Sequence, residues 1–249
     1  MIGTAALLNA EIEPKKLSLA IVDEKTSFEP SDLEKLSKLV NENCDLIYLT
    51  SRQMPNSLSC LLYPNSQVNK IVLRHSHECK VFVYEKDMRM AAYEKAVEDL
   101  KKNNQALIYT PNVEFLINQM QEQTFAGWQI GLIQDDMTIR DILKLIEGFD
   151  AGKIDVLICA SNIDIIIRPK TDVCVIYENA DRTSLSNLHQ IRGFALLDHD
   201  NSSLHLISST KRKESLKRLN LMTEVMDGET LVTKDLEIRR EGSTLGFDK

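Results

Sequence analysis

Short runs of β-branched and other apolar residues alternate along this chain with longer stretches whose apolar residues recur every three or four positions. The short runs are Leu17 to Val22, Leu46 to Leu49, Ile71 to Leu73, Val81 to Tyr84, Ala106 to Tyr109, Ile130 to Ile133, Val156 to Cys159, Val173 to Tyr177 and Leu204 to Ile207. They show no polar alternation, so each reads as a strand buried on both faces. Strands of this kind separated by helical stretches predict an α/β fold with parallel sheets.

The intervening helices carry their own start signals. Ser31-Asp-Leu-Glu34 reads as a capping box before a helix that places Leu33, Leu36, Leu39 and Val40 on one side. Thr138-Ile-Arg-Asp141 is a similar start for a helix with Ile142, Leu145, Ile146 and Phe149 inward, and Gly152 stands where a C-terminal cap belongs. A third helix, from about Asp87 to Lys102, is expected to bury Met90, Tyr93, Val97 and Leu100.

A polar stretch, His75-Ser-His-Glu78, separates two alternating sets and predicts a boundary there, giving units 1–75 and 76–209. From Ser208 onward Lys211, Arg212, Lys213, Lys217 and Arg218 crowd together, so residues 210–249 form a third, basic segment.

Composition narrows the picture. The 249 residues are 43% hydrophobic, enough for a sizeable core, and the formal net charge of -7 offers a polyanion no general attraction. Nucleic-acid contact therefore has to come from a local basic patch. The apolar N-terminus lacks a basic lead and meets Glu11 and Glu13, and no apolar run reaches the roughly 18 residues of a membrane helix. A cytoplasmic protein is expected. The five cysteines include no Cys-x-x-Cys pair, so neither a disulfide framework nor a zinc site is indicated, and no metal site is expected from the five histidines. Trp128, ahead of a strand, reads as core rather than as a base-stacking platform.

Ser186-Asn-Leu-His-Gln-Ile-Arg-Gly193 resembles the start of the sixth motif of RecG-type motors of helicase superfamily 2, Q-L-H-Q-L-R-G-R-V-G-R. Ile146 to Ile158 resembles the helix and strand before their fifth motif. Asp227-Gly228, Lys234-Asp-Leu-Glu-Ile-Arg239, Gly242 and Gly246 are similar to their translocation hairpin. At the front, Gly3-Thr-Ala-Ala-Leu-Leu8 resembles G-T-H-A-L-L, Leu19 to Glu24 the strand ending in a D-E-x-H box, and Leu49-Thr-Ser51 with Pro55 and Leu58 the third motif. The likeness keeps its order over essentially the whole chain.

The resemblance implies two RecA-like lobes, the first truncated and the second complete, followed by a helical hairpin. It implies ATP-driven work on branched DNA in repair and recombination. Several residues that such work requires are replaced. The sequence holds no Gly-rich phosphate loop with its Lys. The arginine fingers of the family pattern fall on Phe194 and Leu197, and Leu196 stands at a glycine position. Ser161 to Arg168 replaces the fifth motif without its glycine, and Gln134-Asp135 stands at the usual His-Gly. Asp23 and Glu24 match the positions that hold magnesium in the family, as a catalytic remnant or a solvated strand end. Gln190, Arg192 and Gly193 remain from the sixth motif.

No ATP hydrolysis is expected from the chain alone, and ATP with magnesium only if a partner chain supplies the missing front of the first lobe. DNA contacts implied by the family geometry fall on Thr4, Arg52, Thr110 and Ser161, with Lys211, Arg212, Lys213 and Arg239 of the basic tail. The other reading of that tail is the polar face of amphipathic helices.

Overall fold

The structure is a computed structural model that describes residues 2–9, 17–23, 30–40, 44–50, 67–69, 71, 80–114, 116, 125–160, 167, 169–195 and 201–239. It divides into two compact units, Met1–Gln53 and Met54–Lys249. The predicted boundary at His75 to Glu78 lies outside the described residues.

In the first unit β1 (Leu19–Asp23) pairs in parallel with β2 (Asp45–Leu49), Leu19 opposite Asp45 and Ile21 opposite Ile47. Between them runs helix α1 (Pro30–Leu39). It starts one residue before the predicted capping box: Ser31 lies inside the first turn, and Pro30 opens the helix, where its locked φ and missing N–H cost nothing. Val22 and Leu36 are buried.

The second unit contains a six-stranded sheet. Its strands are β3 (Lys80–Tyr84), β4 (Gln105–Thr110), β5 (Ile130–Ile133), β6 (Val156–Ala160), β7 (Val173–Glu178) and β8 (Ser203–Ile207). They lie in the order β3-β8-β7-β4-β6-β5, all parallel. Helices α2 (Arg89–Leu100), α3 (Ile139–Asp150) and α4 (Leu185–Ala195) serve as crossovers, and α5 (Lys213–Glu224) and α6 (Gly228–Arg239) form a terminal hairpin.

Both faces of the sheet are covered, which explains the continuous apolar strands. Leu107 and Tyr109 of β4 face a core built with α3, α4, α5 and α6, through Phe149, Leu188, Met222 and Leu231. Ala106 and Ile108 face the opposite layer with Tyr93, Ala96 and Leu100 of α2 and with Phe125. All six residues of β4 are buried.

The start of α3 matches its signal: the Thr138 hydroxyl accepts from the Asp141 amide at 3.3 Å. At its end Gly152 takes φ +69° and donates to the Phe149 carbonyl, a left-handed turn that suits glycine. In α2 the expected inward Met90 is 50% exposed. The sheet side is instead Ala92, Tyr93, Ala96 and Leu100, small alanines allowing close approach. Ile71 lies in no strand, and Val72 and Leu73 lie outside the described residues. No helix among the described residues is long and apolar enough to cross a membrane.

Candidate functional site

The chain leaving β4 runs toward β5, on the β6 side of the sheet, and the chain leaving β7 runs toward β8, on the other side. Neighbouring strands whose continuations part in this way leave a crevice beyond their carboxyl ends, the usual ligand position in open α/β sheets. An open cleft of about 440 Å³ lies there, and Pro111, Glu178, Asn179, Arg182, Ser184 and Asn187 are among its lining residues.

Glu178, the last residue of β7, brings three elements together. Its carboxylate accepts from the Tyr93 hydroxyl of α2 at 2.7 Å and from the Thr110 hydroxyl of β4 at 2.6 Å, and it pairs with Arg89 at 2.5 Å. A carboxylate only 11% exposed is costly to bury without partners of this kind. The Arg89 guanidinium also lies over the Tyr93 ring, 5.4 Å from its centre. Burial, and then the Glu178 charge, hold the Tyr93 phenol well above its usual range, so it remains a proton donor.

The loop after β7 is held from behind. Asn179 takes the left-handed conformation, φ 54°, one of the few side chains that tolerates it. Asp181 accepts from the Ser209 amide at 2.5 Å and from the Ser209 hydroxyl at 2.8 Å. Arg218 of α5 donates to the Asp181 carbonyl at 2.9 Å and to the Thr183 carbonyl. Ser184 then opens α4, its hydroxyl accepting from the Asn187 amide at 3.2 Å.

Of the expected site residues, Arg52, Glu24 and Ser161 lie outside the described residues, as does Leu197. Thr4 is exposed ahead of a 3-10 turn, and Asp23 is an exposed strand end, both in the first unit. Thr110 is a correction: it is 1% exposed and its hydroxyl is committed to Glu178, so it is not presented at the surface as a contact residue would have to be. Arg218 is a second: it is buried, with its Nε donating to Asp235 at 2.7 Å, and does not belong to the basic surface. Lys211 pairs with Asp87, while Arg212 and Lys213 are exposed at the start of α5. Arg239 ends α6.

Gln190 and Gly193 sit in α4, and a Cβ at Gly193 would meet open space. Arg192, also in α4, is 1% exposed. It donates to the carbonyls of Met222 (2.8 Å), Val225 (2.9 Å) and Met226 (2.9 Å), and it contacts His189 Nδ1 at 2.8 Å. Arg192 thus ties α4 to the turn of the hairpin. Asp227 caps α6 through the Thr230 amide at 2.7 Å, and Asp235 holds Arg218, so the D-G and D-L pairs both brace that hairpin.

Sequence reasoning passed over Glu178, Asn179 and Arg182. The signal it had was a carboxylate, a left-handed-tolerant Asn and an unshielded Arg directly after a fully apolar strand. Among the described residues no group of three or more His, Cys, Asp or Glu is placed to hold a metal ion.

No family model matches the chain. The ATP-dependent DNA helicase RecG of Bacillus subtilis is 28% identical over 262 residues, covering 99% of this chain and 38% of that protein. Over its whole length the chain is similar to RecG. The Staphylococcus epidermidis RecG is 25% identical over 261 residues, with the same shares of 99% and 38%. The chain therefore spans under two fifths of the length of these RecG relatives. Among solved structures, RecG bound to a three-way DNA junction superposes with a TM-score of 0.70 at 21% identity, covering 97% of this chain and 33% of that one. The helicase Lhr of Mycobacterium smegmatis, bound to single-stranded DNA and AMP-PNP, gives 0.57 at 13% identity over 84% of this chain and 31% of its own. Both structures share its RecA-like α/β fold.

Proposed function

We propose that this chain is a RecG-like motor segment that binds branched or single-stranded DNA in repair and recombination without hydrolysing ATP by itself. The observation that carries the reading is the pairing of whole-length likeness to RecG with loss of the charged groups that phosphoryl transfer uses. Arginine fingers contribute roughly 10³ to 10⁵ in rate by neutralising charge on the transferred group. Phe194 and Leu197 stand at their positions and carry no charge. Arg192 does not substitute for them, because its guanidinium is buried against three carbonyls of the hairpin turn. Asp23 and Glu24 are then a remnant of the magnesium site, and ATP is not a cofactor of the isolated chain.

What persists on this reading is a scaffold for DNA, in which Thr4, Arg52 and Ser161, with Lys211, Arg212, Lys213 and Arg239 of the tail, contact phosphates. The decisive experiment measures ATP hydrolysis by the purified chain with and without a forked DNA. Turnover at the blank, together with salt-dependent binding of the fork, supports the reading. Turnover above about 1 per second, within the ordinary enzyme range, overturns it.

A second reading is favoured by one surface. Leu19, Ile21, Ile47 and Leu49 share a face of the β1–β2 sheet and are 44 to 57% exposed, whereas parallel sheets are covered on both faces. A companion polypeptide carrying the Gly-rich phosphate loop would cover that face and restore an ATP and magnesium site. Co-purification that recovers such a chain, and hydrolysis that appears only in the complex, would decide for it.

A further inference from the structure

We propose that the cleft beyond β4 and β7 holds one phosphodiester group of a DNA strand, with Arg182 as its charged anchor and Ser184 and Asn187 as neutral donors. This rests on the DNA-binding reading and adds a site to it. Charge accounting around the cleft comes first. The Glu178 carboxylate is matched by Arg89 and by the Tyr93 and Thr110 hydroxyls. Asp181 is committed to Ser209, and Arg218 to Asp235 and two carbonyls. Arg182 is exposed at the cleft, with no hydrogen bond or ion pair of its side chain among the described residues. In an acidic chain, one unmatched guanidinium beside a polar crevice favours an anion.

Shape and stiffness favour the same ligand. At about 440 Å³ the cleft falls within the roughly 300 to 1,000 Å³ of ordinary ligand sites. Asn179, the Ser209 contacts and Arg218 fix the loop that presents Arg182, so little ordering remains to be done on binding. The Ser209 contact also brings the segment bearing Arg212 and Lys213 beside the Arg182 loop. Successive cations suit a chain of phosphates better than a lone one. Among the described residues no exposed aromatic ring lines the cleft, which favours contact with the strand's backbone over its bases.

The test is fluorescence anisotropy of a labelled 20-nucleotide oligo-dT across a range of salt concentrations, with wild type, Arg182→Ala, Asn187→Asp and a Lys211→Ala/Arg212→Ala/Lys213→Ala variant. Arg182 is exposed and its side chain touches no partner among the described residues, so its variant is expected to fold, and circular dichroism checks this. Arg182→Ala should bind roughly five- to tenfold more weakly near 0.1 M salt, with the salt slope lower by about one, the signature of one lost phosphate contact. Asn187→Asp should weaken binding as well, by placing a carboxylate in the cleft, and millimolar inorganic phosphate or ATP should not displace the strand.

Wild-type affinity in both cleft variants, alongside loss in the triple variant, would overturn the cleft while leaving DNA binding intact. Displacement by ATP or phosphate at matched phosphate concentration would reassign the cleft to a small anion. A wild-type chain without salt-dependent affinity would remove the DNA reading itself.

Discussion

The guanidinium of Arg192 donates to the carbonyl of Met222 across 2.8 Å, joining α4 of the sheet layer to the last turn of α5. The same side chain reaches the carbonyls of Val225 and Met226, so one residue satisfies much of the turn between the hairpin helices. Helix ends leave carbonyls without intrahelical partners, and here a buried cation supplies the donors. Arg192→Ala would strand those carbonyls in a dry core. We expect a loss of about 3 to 5 kcal/mol in urea unfolding, with Arg192→Lys intermediate because an ammonium lacks the planar fork. An unfolding midpoint unchanged in Arg192→Ala would show that the turn does not depend on it.

A second buried cation braces the same hairpin. Arg218 and Asp235 face each other at 2.7 Å with side chains 8% and 10% exposed. Asp235→Ala leaves a buried charge uncompensated and should cost about 3 to 5 kcal/mol, largely independent of salt. Arg218→Met combined with Asp235→Leu should recover most of that loss, since paired apolar replacements of buried ion pairs are often neutral or better. A double variant no more stable than Asp235→Ala would mean that the carbonyl contacts of Arg218 to Asp181 and Thr183 dominate instead.

These two arginines mark the limit of what the sequence discloses. The sheet was readable because its inner strands β4, β6, β7 and β8 are buried on both faces, which leaves no polar alternation to confuse the pattern. Arg192 and Arg218 were not readable. A basic residue in a helix reads as solvated unless its acceptors are known, and theirs are carbonyls and a carboxylate 17 to 37 residues away along the chain. The Glu178 network is hidden for the same reason, its hydroxyl donors lying 68 and 85 residues off. Met90 misled through periodicity alone, because alanines rather than the largest apolar residues set the close approach of α2.

Local signals translate more directly, and Thr138 is the clearest. Its hydroxyl accepts from the Asp141 amide and donates to the Asp141 carboxylate at 2.8 Å, closing the first turn of α3. Thr138→Ala should lower stability by about 1 kcal/mol, and Thr138→Ser, which keeps the hydroxyl, should leave it nearly unchanged. Equal unfolding midpoints for Thr138→Ala and wild type would show that the start of α3 is set by packing of Ile146 and Phe149 and not by its cap.

His205 gives the fold a defined acid sensitivity. The ring is fully buried on β8, between Tyr84 and Ser203, each 2.9 Å from one of its nitrogens, and it stacks on Phe82 at 5.0 Å. Burial pushes its pKa down to about 4 from the usual 6.5, against a raising influence from Asp99 and with a smaller lowering one from Lys95. Between those two values the unfolded chain binds a proton that the folded chain refuses. Stability should therefore be unaffected by this group above pH 6.5 and should fall as the pH drops from 6.5 toward 4, by up to about 3 kcal/mol. His205→Gln should be less stable at neutral pH, yet lose that part of the decline. Urea unfolding of both proteins at half-unit steps from pH 7.5 to 4 (a window set by the proton linkage of one buried imidazole) separates the two behaviours. Parallel curves for the two proteins would mean that His205 takes up its proton as readily in the sheet as in the open chain.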